Sequence, residues 1–203
     1  MKIEQRPKEG RKEVLILFME DEPWKEIHVA IFGRRFKFPS VSNLDEWQQQ
    51  FDQLEYRQTK NYVLRRLSMQ SYHSAQLTKL LKERLVQAHT IQRLIAECLD
   101  WGYLDDKAWL AAFKRGKRLG LRAIAMKLRT KGLSREEIED FITENRDPEE
   151  EKEGILRLMQ TRYRHKDLNQ PKERQKVIAA LMRKGYDFEW IKQVFAYLKT
   201  LNS

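Results

Sequence analysis

Three stretches of this chain carry apolar residues at the same successive offsets of four, five and five positions. The three sets are Leu77, Leu81, Val86 and Ile91; Ile124, Leu128, Leu133 and Ile138; and Val177, Leu181, Tyr186 and Ile191. A spacing of four keeps two residues on one helix face, whereas a spacing of five crosses a helix end and a turn. Each stretch therefore predicts a helix, a tight turn and a second helix with a shared core. A unit that recurs about every fifty residues predicts an array.

The composition agrees with an array whose units pack only against their neighbours. Of the 203 residues, 41% are hydrophobic and 34% are charged, so the predicted core is thin and the surface is large. The single cysteine, Cys98, excludes an intramolecular disulfide, favours a reducing compartment and lies in an apolar pattern typical of a core position. The first residues lack the apolar segment of a signal peptide, and no apolar run is long enough to span a membrane. We expect a soluble, cytoplasmic protein without membrane contact.

The net charge of +10 is unevenly distributed along the chain. Residues 56–104, 105–133 and 154–203 carry net charges of +5, +7 and +7, whereas residues 134–153 carry −7. The three basic blocks coincide with the three repeats. Because a positive field of this size attracts polyanions, the distribution predicts binding to nucleic acid or to an acidic protein–nucleic acid assembly. A well-solvated surface without a partner is the alternative.

Residues 1–55 predict a small sheet followed by a helix. Residues 1–13 are charged and contain a proline and a glycine, which indicates an irregular lead-in. Short segments rich in β-branched and aromatic residues predict two or three antiparallel strands, at residues 14–18, 26–32 and 35–38. Such a sheet must pack against a helix, and Asn43 followed by Glu46 predicts the start of one. The apolar stripe of that helix consists of Leu44, Trp47, Phe51 and Leu54.

From about residue 56 onward the sequence predicts helices joined by short turns. Glycines at helix ends and capping side chains at helix starts are the signals, namely Gly102, Gly120, Gly132 and Gly185, and Asp105, Ser134, Asp147 and Asp187. Leu85 stands at the turn position that a glycine occupies in the other two repeats, so we expect a locally different turn there. The predicted domains are the sheet and helix of residues 1–55 and three three-helix repeats at 56–104, 105–146 and 147–203.

Several motifs follow one another from the end of the first repeat through the third. They are Gly102-Tyr103-Leu104-Asp105-Asp106, Phe113, Gly120-Leu121-Arg122-Ala123-Ile124, Leu128-Arg129-Thr130-Lys131-Gly132-Leu133, and Lys176-Val177 through Tyr186 and Ile191. In this order they resemble the RecX family of bacterial recombinase regulators, and the likeness covers roughly residues 56–200. Leu121 stands where proline is usual in the family, and Ala123 where arginine is usual.

The resemblance implies a mainly α fold, a crescent of three tandem three-helix units preceded by the small sheet. It also implies a regulator that binds the RecA recombinase filament on single-stranded DNA, lies in its groove and restrains its growth, ATP hydrolysis, recombination and DNA repair. The expected partners are that filament, single-stranded DNA and, weakly, double-stranded DNA, and we expect a monomer. Members have no catalysis of their own and need no cofactor, so no enzyme activity, cofactor or metal is expected.

The second repeat holds the densest group of cations. We predict filament or nucleic-acid contacts by Arg115, Arg118, Arg122, Arg129, Lys114 and Lys131. Lys107, Lys114 and Arg118 are seven and four residues apart, which places them on one face of a predicted helix that ends at Gly120. Further candidates in the flanking repeats are Arg65, Arg66, Lys79, Lys82, Arg174, Lys176, Arg183 and Lys184. Such contacts are made mostly with phosphate or carboxylate groups, so they give affinity without sequence choice. A solvated helix face is the alternative for each cation.

The remaining functional residue types predict no catalytic or metal site. Trp101, Trp109 and Trp190 lie in apolar patterns and are predicted to be core residues rather than base-stacking ones. The four histidines lack metal-ligand spacing, and one cysteine cannot complete a zinc site. The chain also contains no glycine-rich phosphate loop and no nucleophile or zinc-protease motif.

Two other functions fit the same residues. Three-helix units can present a recognition helix, which would make the protein a sequence-specific helix-turn-helix regulator of transcription. A helical array can also serve as a protein-interaction scaffold that does not bind nucleic acid.

Overall fold

The structure is a computed structural model that describes residues 2–39 and 41–201. In that part of the chain, a three-stranded antiparallel sheet precedes ten helices, which confirms the mainly α fold with a small amino-terminal sheet. The strands are β1 (Ile3–Lys8), β2 (Arg11–Met19) and β3 (Glu22–His28). The helices are α1 (Val29–Phe32), α2 (Leu44–Leu67), α3 (Ser74–Glu83), α4 (Ala88–Asp100), α5 (Asp106–Lys114), α6 (Leu121–Lys131), α7 (Arg135–Glu144), α8 (Pro148–Thr161), α9 (Pro171–Arg183) and α10 (Phe188–Leu201).

The repeated apolar pattern corresponds to one local structure in all three places. The first two apolar residues of each set lie on a helix, the third follows the helix end, and the fourth lies on the next helix. The backbone N–H of the third residue donates to the carbonyl oxygen five residues earlier, from Val86 to Leu81 at 3.2 Å, from Leu133 to Leu128 at 3.4 Å and from Tyr186 to Leu181 at 3.2 Å. This bond belongs to the Schellman motif, which an apolar contact commonly accompanies. The offset of five therefore reflects the hydrogen bond that closes each helix.

The turn of the first repeat has the same backbone conformation as the other two, although it has no glycine. The angle φ is positive at all three turns, 60° at Leu85, 102° at Gly132 and 85° at Gly185. The predicted local difference at Leu85 is therefore wrong. A left-handed conformation costs a residue with a side chain about 1–2 kcal/mol. Burial of Leu81 and Val86 beside the turn offsets that cost, because a fully buried apolar side chain contributes about 1.5–3 kcal/mol.

The sheet starts earlier than the sequence predicts. Residues 3–8 form the edge strand β1, which pairs with β2, so the predicted irregular lead-in is wrong. Pro7 is compatible with this strand because it lies on the sheet edge, next to a shift of register between Pro7 and Lys8. The next turn, between β2 and β3, has positive φ at both central residues, Glu20 at 49° and Asp21 at 71°, as a two-residue hairpin of the primed type requires.

The sheet also ends earlier than predicted, at His28. Residues 29–32 form α1 instead of continuing the strand, because the Nδ1 atom of His28 accepts a hydrogen bond from the N–H of Ala30 at 3.0 Å and caps a helix. Residues 35–38 form no strand either. Phe36 and Phe38 alternate because both rings pack in an aromatic cluster, with ring centroids 5.6 Å from Phe32 and 5.6 Å from Trp47, respectively.

The chain divides into two compact units, Met1–Leu110 and Ala111–Ser203. The core of the first unit joins the sheet and helices α1 to α4, and it includes Leu17, Trp47, Phe51, Leu77, Leu81 and the predicted core residue Cys98. In the second unit α8, α9 and α10 share a core that includes Ile155, Leu181 and Ile191. The division lies within α5, and the boundaries proposed for the three repeats stay predictions. None of the helices described at residues 2–39 and 41–201 is both long and apolar enough to cross a membrane.

Helix α2 links the sheet to the first helical repeat within one core. It begins as predicted, because the Oδ1 atom of Asn43 accepts a hydrogen bond from the N–H of Glu46 at 2.9 Å. The same helix buries Trp47 and Phe51 in the core near its start and Tyr62 near its end. The predicted boundary between residues 55 and 56 therefore lies inside a continuous helix.

Two glycines bring backbone segments of the second unit into direct contact. The N–H of Gly120 donates to the carbonyl oxygen of Lys184 at 2.9 Å. A Cβ atom on Gly120 would lie 2.4 Å from the carbonyl carbon of Gly185, and one on Gly185 would lie 2.5 Å from Cβ of Ala123. Non-bonded atoms do not approach so closely, so both positions require glycine. This contact joins the start of α6 to the turn after α9.

We predict that Gly185→Ala lowers the free energy of unfolding by about 2–5 kcal/mol. The left-handed backbone accounts for about 1–2 kcal/mol and the collision with Ala123 for about 1–3 kcal/mol. Gly116→Ala is the control, since Gly116 has a φ of 72° but nothing within 4 Å of its Cβ position, and it should show only the smaller backbone effect. Denaturant unfolding followed by circular dichroism measures both changes. Equal losses in the two variants would contradict the close contact.

We predict that Leu128→Ala lowers the free energy of unfolding by about 2–5 kcal/mol, because the side chain is 0% exposed and its loss leaves a cavity. Met126→Ala is the matched control on the same helix, since Met126 is 73% exposed and should change the stability by at most about 0.5 kcal/mol. Thermal unfolding distinguishes the two. If Leu128→Ala left the free energy of unfolding unchanged, α6 would bury a different face.

Candidate anion-binding surface

The basic segment between α5 and α6 is a connection rather than a helix. Helix α5 ends at Lys114, and Gly116 follows with a φ of 72°. The prediction that this helix continues to Gly120 and carries Arg118 on its face is therefore wrong, because the chain already turns at Gly116. Residues 115–120, which we call the basic connection, lead from α5 to the fixed start of α6.

The basic connection borders a cleft of about 680 Å³ within the second unit, and α8 contributes another wall. The cationic residues that line the cleft are Lys114, Arg115, Lys117, Arg118 and Arg157. The structure thus brings three of the predicted contact residues together and adds Lys117 and Arg157, which the sequence prediction missed. Lys117 lies in the same basic run as its neighbours, whereas Arg157 reaches the cleft only through tertiary packing.

Two carboxylates of α8 also line the cleft, and one binds a lysine while the other binds a backbone N–H group. Glu150 pairs with the Nζ atom of Lys114 at 2.5 Å. The Oε1 atom of Glu151 accepts a hydrogen bond from the backbone N–H of Leu121 at 2.7 Å. Because Gly120 offers α6 no side-chain cap, Glu151 satisfies a free donor at the positive end of that helix. Helix α8 therefore helps to fix the position at which α6 begins.

Tyr186 forms a buried part of the cleft wall. Its side chain approaches α8 at Gly154, where a Cβ atom would lie 2.9 Å from the tyrosine hydroxyl oxygen, which explains the glycine in the middle of this helix. Burial, followed by the negative charge of Glu151, raises the pKa of Tyr186 to about 12. The neutral hydroxyl is therefore the form that the folded chain favours.

Lys117 lies where positive charges crowd together. Its Nζ atom is 3.5 Å from the centroid of the Phe113 ring. Burial, followed by repulsion from Lys127 and Lys131, lowers the pKa of Lys117. Both of those lysines lie on α6, and only Lys131 was predicted as a contact residue. The basic surface therefore continues from the cleft towards the end of α6.

The remaining predicted arginines of the second repeat differ in their partners. In the part of the chain that the structure describes, no carboxylate forms an ion pair with Arg115, Arg118 or Arg129, and all three are exposed. Arg122 instead has its Nη2 atom 2.6 Å from the Oδ2 atom of Asp187. Asp187 also caps α10, as predicted, by accepting from the N–H of Glu189 at 2.9 Å.

The flanking candidates are placed on helices of both units. In the second unit, Arg174, Lys176 and Arg183 lie on α9 and Lys184 follows its end. In the first unit, Arg65 and Arg66 lie in the last turn of α2, and Lys79 and Lys82 lie on α3. Lys176 pairs with Glu173 at 3.0 Å. The guanidinium groups of Arg66 and Arg174 lie 5.6 Å and 5.9 Å from the ring centroids of Tyr72 and Phe195, respectively.

An exposed aromatic pair in the first unit contradicts one sequence prediction. Trp101 is 49% exposed and Tyr103 is 56% exposed, with ring centroids 6.0 Å apart. The assignment of Trp101 to the core is therefore wrong. The ammonium group of Lys60 lies 4.2 Å from the Trp101 ring centroid. The ring therefore contacts a cation, whereas the sequence pattern predicted apolar neighbours. Trp190, in contrast, packs against the core of α8, α9 and α10.

The two buried histidines of the first unit serve as helix caps. Their Nδ1 atoms accept hydrogen bonds from backbone N–H groups, His28 from Ala30 at 3.0 Å and His73 from Ala75 at 3.2 Å. Burial lowers the pKa of His28, which keeps the neutral ring available as an acceptor. Within residues 2–39 and 41–201, no three His, Cys, Asp or Glu side chains are grouped so that they could hold a metal ion.

Comparison with known proteins finds similarity to one family. The family model described as "RecX, third three-helix domain" matches residues 149–195. The chain is 30% identical over 154 residues to the Regulatory protein RecX of Mycobacterium leprae, an alignment that covers 73% of this chain and 83% of that protein. It is 33% identical over 108 residues to a Regulatory protein RecX of Thermus thermophilus, covering 52% of this chain and 71% of that protein.

Solved structures show the same fold. The crystal structure of a regulatory protein RecX has a TM-score of 0.56 and 21% identity, and the match covers 96% of this chain and 98% of that one. The crystal structure of RecX from Lactobacillus salivarius has a TM-score of 0.57 and 20% identity, and the match covers 71% of this chain and 97% of that one. At these identities the likeness concerns the fold alone.

We predict that the stability of the second unit decreases as the pH rises from about 10 to about 12, because folding raises the pKa of Tyr186 to about 12 from the value of 10.0 that a free tyrosine has. The unfolded chain releases the proton first, so the stabilisation is complete below about pH 10 and is lost above it. Tyr186→Phe should reduce this loss, and Tyr197→Phe is the control because Tyr197 is 53% exposed. Denaturant midpoints measured on both sides of pH 10 test this. An unchanged pH dependence in Tyr186→Phe would contradict the burial of the hydroxyl.

Proposed function

The chain belongs to the RecX family of regulatory proteins, and from that premise we propose that it binds the filament of a RecA-type recombinase on single-stranded DNA and restrains its growth and activities. A nucleoprotein filament is a long polyanion, so exposed cations without partners bind it with affinity but without sequence choice. The observation that carries the proposal is the set of exposed arginines in the basic second repeat that have no carboxylate partner among the described residues, Arg115, Arg118 and Arg129.

In this proposal the basic connection and α6 make the central contacts, with Lys114, Arg122 and Lys131 at their borders. The cations of α2, α3 and α9 extend the contact along the filament. Residues 134–153 carry a net charge of −7 and repel the same partner, so they favour one orientation of the protein. The expected outcome is inhibition of filament growth and of ATP hydrolysis, with loss of recombination and repair activity.

We predict that Arg118→Glu weakens co-sedimentation with recombinase filaments on single-stranded DNA by about tenfold and lowers the dependence of binding on salt, because an exposed cation is replaced by an anion. Arg135→Glu is the matched control. It changes the net charge equally at a side chain that is 91% exposed on α7, outside the basic connection. Thermal unfolding should be nearly unchanged in both variants. Equal weakening by the two substitutions would indicate that only total charge matters.

The wild-type protein should also slow filament growth and ATP hydrolysis by the recombinase. Unchanged growth and hydrolysis at several-fold molar excess of the protein would contradict the proposed function.

Footprinting on duplex DNA tests the helix-turn-helix alternative, because a transcriptional regulator protects a defined sequence. Partner binding that persists in high salt without any retention of nucleic acid would favour the scaffold alternative.

A further inference from the structure

The cleft of the second unit has the dimensions of a ligand site. Its volume of about 680 Å³ lies within the range of about 300–1,000 Å³ that is typical of binding pockets. Five cationic side chains and two carboxylates line it, so the lining has an excess of positive charge. The cleft therefore suits an anionic ligand, and the remaining lining residues decide which class of anion fits.

The three arginines of the cleft are available to a ligand. In the described part of the chain, no carboxylate pairs with Arg115 or Arg118. Arg157 pairs with Glu153 at 3.1 Å, but both side chains are more than half exposed, and such surface pairs exchange at little cost. The ammonium group of Lys117 donates to the carbonyl oxygen of Phe113, and burial, followed by repulsion from Lys127 and Lys131, lowers its pKa. A carboxylate in the cleft would relieve this repulsion.

The carboxylates of the cleft disfavour a phosphate ligand. A phosphate commonly binds the free N–H groups at a helix start. Here the N–H of Leu121 at the start of α6 is already bound to Glu151 at 2.7 Å. Glu150 also faces the cleft and pairs with Lys114, so neither that N–H nor that ammonium group is free for a phosphate.

The uncharged lining favours a peptide over a nucleic acid. Single-stranded nucleic acids bind by stacking their bases on exposed aromatic rings. The aromatic residue of this lining, Tyr186, is only 4% exposed. The basic connection and the start of α6 instead present Leu119 and Leu121, both half-buried, beside the cations. Apolar groups next to arginines complement a segment that alternates acidic and apolar side chains.

We propose that this cleft binds an acidic, leucine-containing peptide segment of a partner protein. Arg115, Arg118 and Arg157 pair with its carboxylates, because the planar guanidinium matches the two oxygens of a carboxylate. Leu119 and Leu121 contact its apolar side chains. The inference goes beyond the proposed function, since a peptide site of this kind does not require a filament, although the two share Arg115 and Arg118.

The test uses the full-length protein and a fluorescein-labelled peptide of about ten residues in which glutamate and leucine alternate. Fluorescence anisotropy should show saturable binding that weakens as salt is added. A matched peptide with serine in place of leucine should bind about tenfold more weakly, because it cannot use the apolar lining. Unlabelled inorganic triphosphate serves as the competitor, and it should not displace the peptide at equal concentration. Absence of peptide binding, or displacement by triphosphate, would overturn the proposal.

Variants locate the binding to the cleft. Arg157→Gln should weaken peptide binding by about tenfold, the loss expected for one charge-assisted hydrogen bond. Arg135→Gln, on α7 and outside the cleft, is the control for the loss of one exposed arginine and should have no effect. Equal effects of Arg157→Gln and Arg135→Gln would overturn the assignment to the cleft. If the peptide fails to bind while the protein still co-sediments with filaments, the peptide site is wrong and the proposed function stands. If the peptide binds but the protein does not co-sediment with filaments, the proposed function is wrong and the peptide site stands.

Discussion

The contact between Gly120 and Gly185 determines where the second unit presents its cations. The N–H of Gly120 is bound to the carbonyl of Lys184, and neither glycine leaves room for a Cβ atom, so α6 begins at a fixed point beside the turn after α9. Glu151 adds a second anchor by accepting the N–H of Leu121. The basic connection must then run from the end of α5 to this point, which holds Arg115 and Arg118 at the cleft. Backbone geometry, more than side-chain attraction, therefore organises the basic surface.

Sequence patterns predicted the repeated part of the fold because its determinants are local. The Schellman bond spans five residues and the capping box of Ser134 and Glu137 spans three, so both leave a readable spacing in the sequence. Prediction was wrong where local signals are ambiguous. An apolar run of four residues after His28 fits a strand or a helix equally. Here the run is helical, with the His28 side chain as its cap and a hydrogen bond from the N–H of Gly33 to the carbonyl of Val29 at its end. Two glycines, Gly116 and Gly120, could each have ended α5.

The candidate site could be predicted only in part, for a different reason. The density of lysine and arginine from residue 114 onward identified one side of the cleft. The other side comes from α8, whose Glu150 and Glu151 are 36 and 30 residues away from the groups they bind, so their pairing depends on tertiary packing that no spacing rule encodes. Trp101 is a second case in which a contact distant in sequence could not be predicted. Its apolar neighbours in sequence suggested burial, yet Lys60, a residue distant in sequence, covers its ring.

The continuous helix α2 has a consequence for the first unit as a folding entity. Its early turns supply Trp47 and Phe51 to the core around the sheet, and at its middle Glu55 accepts the N–H of Gln87 at the start of α4 at 3.1 Å. A shortened protein that began at residue 56 would start inside this helix, without the aromatic anchors and without the acceptor for that N–H. The sheet, α2, α3 and α4 share one core, so a protein without residues 1–55 would lack side chains that pack against the helices that follow.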